Sequence, residues 1–297
     1  MLHVVHHPAY TVTARGGAQQ FSKYAAVMDL LRADGDLVEH LPEPMPRAWI
    51  EAAHDPEYVA SVIETRVAPE IERRIGFPVT AEVAKRSQIS PGGTWLAAKL
   101  ALEQGYAANA AGGSHHALPD SGAGYCVFND LAIAALRLTG EGDAARILIV
   151  DCDVHQGDGT AAILAGRPDI ATLSIHAERN FPVRKARSTL DIGLPDGTGD
   201  DAYLDALRPA LRSMIDERRP DLILYQAGVD VHADDRLGRL ALTNAGIAAR
   251  DTLVANTAKT FGIPLASAMG GGYGHDVMAV ARRHAAVMRT CATAYLD

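Results

Sequence analysis

Short apolar runs, rich in β-branched residues, alternate along the chain with longer stretches whose apolar positions recur at helical spacing. Residues 145–150, 169–175, 221–226 and 263–267 are of the first kind and predict buried strands. Residues 21–33, 94–104, 130–138, 201–218, 244–261 and 276–290 are of the second kind and predict helices. Continuous apolar strands suit a sheet covered on both faces. Strand and helix in alternation imply an α/β fold with a mainly parallel sheet. Gly and Pro punctuate the chain throughout, and no linker, repeat or low-complexity tract divides it, so residues 1–297 are expected to form a single domain.

Composition narrows the class. Hydrophobic residues are 48% and charged residues 22%, which suits a folded globular chain rather than a disordered one. No apolar run approaches the ~20 residues that span a bilayer. The start, Met1 to Pro8, lacks the basic and apolar regions of a signal peptide, so neither export nor membrane anchoring is expected. Lys and Arg number 28 against 36 Asp and Glu, a net charge of −8, which disfavours nucleic-acid binding. A cationic substrate such as a lysine side chain or a polyamine remains compatible. Three scattered cysteines, Cys126, Cys152 and Cys291, read as buried thiols in a reducing cytoplasm.

In α/β folds ligands bind beyond the carboxyl ends of the strands, and that is where the polar segments fall. Directly after the strand ending at Val150 comes Asp151-Cys152-Asp153-Val154-His155-Gln156-Gly157-Asp158-Gly159. On an extended chain Asp151, Asp153 and His155 project the same way. Asp153 and His155 suit a single ion of the zinc type, and buried acids at a strand end call for a cation. After an apolar run at residues 106–111, Gly112-Gly113-Ser114-His115-His116 aims two imidazoles at the same region, as ligands or as general acid and base. After a third strand, Asp230 could complete an open three-ligand metal site, whereas His232 reads as a bystander. Met269-Gly270-Gly271-Gly272-Tyr273 lets backbone at Gly271 and Gly272 approach a ligand and brings a phenol that could stabilise an oxyanion. Finally, Gly122-Ala123-Gly124-Tyr125-Cys126-Val127-Phe128-Asn129-Asp130 reads as a loop entering a helix capped by Asn129. Its aromatics either line a channel or pack in the core.

Taken in order, these segments resemble the histone deacetylase and acetylpolyamine amidohydrolase superfamily over nearly the whole chain. His54-Asp55-Pro56-Glu57-Tyr58 and Asn180-Phe181-Pro182 add to the likeness. Gln156 stands where many relatives have a second histidine, a form similar to the class IV branch and its bacterial members. The resemblance implies an arginase/deacetylase fold with a central sheet of about eight strands flanked by helices. It implies Asp153, His155 and Asp230 as zinc ligands, with iron as a substitute. His115 and His116 match the tandem catalytic histidines, Asp151 and Asp158 their carboxylate partners, and Tyr273 the transition-state tyrosine. Gly124, Tyr125 and Phe128, with Gly271 and Gly272, fall near the substrate channel. The backbone around Asp151, Asp153, His155, Ser174 and Ile175 matches a structural K+ or Na+ site.

The function so implied is zinc-dependent removal of acetyl or longer acyl groups from N-acyl-lysine side chains of proteins. An acetylpolyamine or other small amide is the alternative substrate, and an inactive acyl-lysine-binding relative the alternative class. A two-manganese arginase-like site is disfavoured, because Gly157 and His232 stand where the second ion's carboxylates belong.

Overall fold

The computed structural model describes residues 1–12 and 18–296. Eight strands form one sheet: β1 (Leu2–Val5), β2 (Leu37–His40), β3 (Tyr106–Asn109), β4 (Ile147–Asp151), β5 (Ile170–Ala177), β6 (Leu190–Leu194), β7 (Leu222–Gln226) and β8 (Leu265–Ala268). Their order is β2-β1-β3-β8-β7-β4-β5-β6, and every neighbouring pair is parallel. The strands expected from the apolar runs are β4, β5, β7 and β8. They lie in the sheet interior, and all their residues are buried, as expected of strands covered on both faces.

The helices are α1 (Ala18–Ala33), α2 (Arg47–Glu51), α3 (Pro56–Ile63), α4 (Pro69–Ile75), α5 (Ala81–Gln104), α6 (Asp130–Glu141), α7 (Asp158–Ile163), α8 (Asp200–Arg218), α9 (Asn244–Thr260) and α10 (Val277–Leu296). Helices α5 and α6 pack on each other and on β1, β3, β4 and β8. A second layer of α1, α8, α9 and α10 covers β1, β3, β4 and β5. One continuous buried cluster runs between these layers.

Helix α5 departs from the sequence expectation. The pattern starts a helix at residue 94, yet the helix begins at Ala81, capped by the Thr80 side chain, and runs through Pro91. Packing accounts for it. The segment before α2 crosses α5 so closely that a Cβ on Gly92 would sit 2.0 Å from the carbonyl of Glu43. Met45 N–H donates to the Gln88 carbonyl at 2.8 Å, so the crossing chain is hydrogen-bonded to the helix one turn before Pro91 and holds it in place there. Elsewhere local signals hold. Asn129 Oδ1 accepts Ala132 N–H and caps α6.

The motif at residues 54–58 is structural. Asp55 caps α3 through Glu57 and Tyr58 N–H, with Pro56 in the first turn. His54 Nδ1 donates to the Leu118 carbonyl at 2.8 Å, and its Nε2 accepts Asn129 N–H at 2.9 Å. The ring thereby ties the start of α3 to both ends of the segment 118–129.

Candidate active site

The carboxyl ends of β3, β8, β7 and β4 lie side by side in the sheet. The loops that leave them carry the segments at residues 112–116, 122–130, 151–159, 226–232 and 269–274. Backbone hydrogen bonds continue past the strand ends: Met269 N–H to Ala111 O, Val229 N–H to Gly271 O and Cys152 N–H to Gln226 O, at 3.0, 2.9 and 3.0 Å. The loops are therefore extensions of the sheet and hold their side chains on a rigid base.

Asp153, His155 and Asp230 converge, with one ligand atom from each lying within 4.8 Å of the others. His155 Nδ1 is 3.0 Å from Asp153 Oδ1 and 3.2 Å from Asp230 Oδ2. Asp230 Oδ1 accepts Val154 N–H, whereas its Oδ2 is buried without a hydrogen-bond partner. Burial alone would lower the His155 pKa, but the carboxylates of Asp153 and Asp230 push it up to about 10. Burial and the charge of Asp153 raise Asp230 to about 7. Both shifts express one fact: two buried acids share too little positive charge. An orphaned carboxylate oxygen beside an imidazole and a second carboxylate is a donor set that fits a divalent cation of the zinc type.

Gly271 belongs to this cluster by necessity. Its N–H donates to Asp153 Oδ2 at 2.7 Å, and a Cβ there would sit 2.0 Å from Asp230 Oδ2. Gly272 instead packs against His284, Val229 and Val280, so it shapes the loop and does not face the cavity.

The tandem histidines sit against the cluster with ring centroids 4.1 Å apart. His115 Nδ1 is 2.7 Å from Asp151 Oδ2, and His116 Nδ1 is 2.7 Å from Asp158 Oδ1. Identical contacts give opposite outcomes. For His115, burial is outweighed by Asp151 and Asp153, and the pKa rises to about 9. For His116, burial and the charge of His115 outweigh Asp158, and the pKa falls to about 3. A cation held by Asp153 and Asp230 would offset part of the charge that raises His115. The backbone that carries both rings is pinned by Asp130, whose carboxylate accepts Gly113 and Ser114 N–H and Thr94 Oγ1–H.

A cavity of about 330 Å³ opens over the cluster, lined by His116, His155, Gly124, Tyr125, Phe181, Tyr273 and the end of α4 among others. The aromatic wall differs from expectation. Tyr125 lines the cavity, stacked on Phe77 with centroids 6.4 Å apart. Phe128 does not: it is 2% exposed and packs edge-on to Tyr58 and tilted against His54, because the turn at residues 123–126 directs it into the core. Phe181 also lines the cavity, edge-on to His116 at 4.7 Å. In the sequence, Asn180-Phe181-Pro182 stands only as a stretch of family likeness, with no wall position assigned to Phe181. Tyr273 faces Tyr125 at 5.6 Å. Burial and the charges of Asp153 and Asp230 keep its phenol pKa well above the usual value, so it remains an O–H donor.

Several residues that build the site carry no motif. Arg250 of α9 is fully buried, and its Nη1 donates to the carbonyls of Cys152 and Gly228 at 3.2 and 2.6 Å, bracing both ligand loops from beneath. Lys23 Nζ donates to the Gly270 carbonyl at 3.1 Å. Asp235 accepts Tyr273 N–H. Gln156 donates to the Ala186 carbonyl and to Asp191, and accepts Ala186 N–H, which fastens the segment that follows Phe181. His232 accepts Asp234 N–H and stays outside the cluster, and the three cysteines are buried and free.

Comparison with known proteins agrees with this geometry. Residues 18–290 match the histone deacetylase domain family. The chain is 45% identical over 297 residues to an uncharacterized protein of Picosynechococcus sp., covering 98% of this chain and 99% of that one. It is 33% identical over 276 residues to histone deacetylase 2 of Arabidopsis thaliana, covering 85% of this chain and 68% of that one. It is 32% identical over 197 residues to the histone deacetylase-like amidohydrolase of Pseudomonas aeruginosa, covering 61% of this chain and 51% of that one. A family match that spans every loop of the cluster, on an all-parallel eight-stranded sheet, places the chain in the histone deacetylase family of hydrolases.

Proposed function

We propose that this protein is a zinc-dependent amidohydrolase that removes acetyl, or longer acyl, groups from N-acyl-lysine side chains. The observation that carries the reading is the buried Asp153–His155–Asp230 set beneath an aromatic-walled cavity, flanked by two histidines that each have their own carboxylate. Iron could take the same ligands. Bound there, the ion would supply Lewis acidity toward the amide carbonyl and the attacking water.

The chain's own groups do the rest. Tyr125 and Phe181 clamp the apolar stem of the acylated side chain between their rings and exclude water. His116 keeps its Nδ1 proton on Asp158, which leaves Nε2 free to accept the proton of the water. His116, or His115 held by Asp151, then returns a proton to the leaving amine. Tyr273 donates its O–H to the carbonyl oxygen as negative charge develops there.

A structural K+ or Na+ beside β4 and β5 is part of the reading, supported by the register that sets Asp151 opposite Ser174. Free buried cysteines support a reducing cytoplasm as its location. The form of the Gln156 site supports the class IV-like branch, and one continuous core supports a single domain.

The test is amine release from acetyl-lysine peptides, long-chain acyl-lysine peptides and acetylated polyamines, read by mass spectrometry. The enzyme is stripped and then reloaded with one equivalent of zinc. Turnover of an acyl-lysine peptide by the reloaded sample alone supports the reading. A filled site that turns over none of them overturns it.

A further inference from the structure

The chain carries a net charge of −8, yet its cavity opens through a cationic mouth. Among the described residues that line the cavity there is no Asp or Glu, whereas Arg73 and Arg74 both do. Both arginines are exposed, and among the described residues neither is in an ion pair. They are fixed to the wall itself. The Arg74 carbonyl accepts Gly124 N–H at 3.0 Å, and the Ile75 carbonyl accepts Tyr125 N–H at 2.8 Å. Arg179, Arg184 and Arg236 lie within three residues of Phe181 or Leu237 along the chain and are exposed, although they do not line the cavity.

The acids nearby offset this charge only in part. Glu70, in the first turn of α4, is exposed and among the described residues forms an ion pair with neither arginine. Glu72 turns back to Val79 N–H, and Asp235 is taken up by three backbone N–H groups. Glu178 is exposed beside Arg179, and Asp234, near Arg236, is paired with Arg283, so the excess of positive charge lies on the cavity wall itself, in Arg73 and Arg74. The last turn of α4 favours a cation through the helix dipole. That preference explains a basic residue there, but not two unpaired guanidiniums facing the cavity of an acidic protein.

We propose that the mouth selects acyl-amine substrates that carry a carboxylate just outside the cavity, and disfavours polycationic amines. The proposal rests on the deacylase reading and narrows its substrate. Applied to an acyl-lysine in a peptide, it calls for Asp or Glu in the flanking positions. Two guanidinium groups can each hold a carboxylate through paired N–H donors. They also raise the local concentration of an anionic substrate, an effect that salt screens.

The experiment uses zinc-reloaded enzyme and three peptides with one acetyl-lysine flanked by Glu, Gln or Lys, together with free Nε-acetyl-lysine and N-acetylspermidine. Binding is read by fluorescence anisotropy and turnover by kcat/KM, at low and high salt. Exposed pairs of this kind lead us to expect about a tenfold preference for the Glu over the Lys peptide at low salt. High salt should shrink the preference, and the R73E/R74E variant should reverse it. A flat or inverted order in the native enzyme, or an order unchanged in R73E/R74E, overturns the proposal. Turnover with a flat order removes the proposal alone. A charge order in binding without turnover of any substrate removes the deacylase reading and leaves the mouth's selectivity standing. Free Nε-acetyl-lysine matching the Glu peptide identifies the α-carboxylate as a sufficient anion, and its failure beside the Glu peptide assigns the role to flanking side chains.

Discussion

Asp235 Oδ2 accepts the backbone N–H of Tyr273 at 2.6 Å, while its Oδ1 accepts Leu237 and Gly238 N–H at 2.9 and 3.0 Å. One carboxylate thus locks the loop after β7 to the loop after β8 at the residue that offers its phenol to the cavity. Asp235→Asn places a donor against one of these N–H groups and so shifts Tyr273. Misplacement of this kind lowers kcat by about 10- to 100-fold with little change in KM. Tyr273→Phe is expected to lose about 100- to 1,000-fold in kcat with metal content unchanged. The double variant should lose less than the product, since both changes act on one step. Full kcat in Asp235→Asn would break the link.

The tandem histidines are unequal. His116 faces the cavity, with its Nδ1 engaged by Asp158. His116→Ala is expected to lower kcat by about 100- to 10,000-fold, in the range for a general base. Asp158→Asn should cost less, because it removes the ring's support and leaves the ring. Steady-state kinetics on an acetyl-lysine peptide measures both. More than a tenth of native kcat in His116→Ala would exclude it as the base.

Metal content tests the ligand cluster directly. Elemental analysis should find about one divalent ion per chain, and Asp230→Ala should lose it while circular dichroism stays native. An ion present at a thousand times its dissociation constant stabilises the fold by about 4 kcal/mol. Chelation should therefore lower the melting temperature of the native chain but not that of Asp230→Ala. Stoichiometric metal in the variant would place the ion elsewhere.

His54 makes stability pH-dependent. Its neutral ring uses both nitrogens, one as donor and one as acceptor, and burial lowers its pKa to about 4. The unfolded chain, with an ordinary value of 6.5, takes up a proton first as pH falls. The contribution is therefore fully present above about pH 6.5 and is lost as pH falls toward 4. The full span corresponds to about 3 kcal/mol. Urea denaturation between pH 7.5 and 4.5 should show a shallower pH slope in His54→Gln than in the native chain. Equal slopes would remove His54 as the cause.

The amino-acid sequence by itself determined the layered α/β class, the strands β4, β5, β7 and β8 and the six long helical stretches. It also determined the segments that meet at the strand ends. These are local properties: burial on both faces writes continuous apolar runs, and a ligand set needs its residue types in place whatever surrounds them. The short strands β1 and β2, four residues each, leave too little pattern to read. Tertiary structure alone decided that α5 runs through Pro91, because another segment passes against it. It also decided that Phe128 turns inward while Phe181 lines the cavity, and that Arg73 and Arg74 stand at the mouth of an acidic protein's cavity. Asp235 and Tyr273 are 38 residues apart, and Arg250 and Cys152 are 98 apart. Contacts across such separations leave no period along the chain, since packing in three dimensions is what selects them.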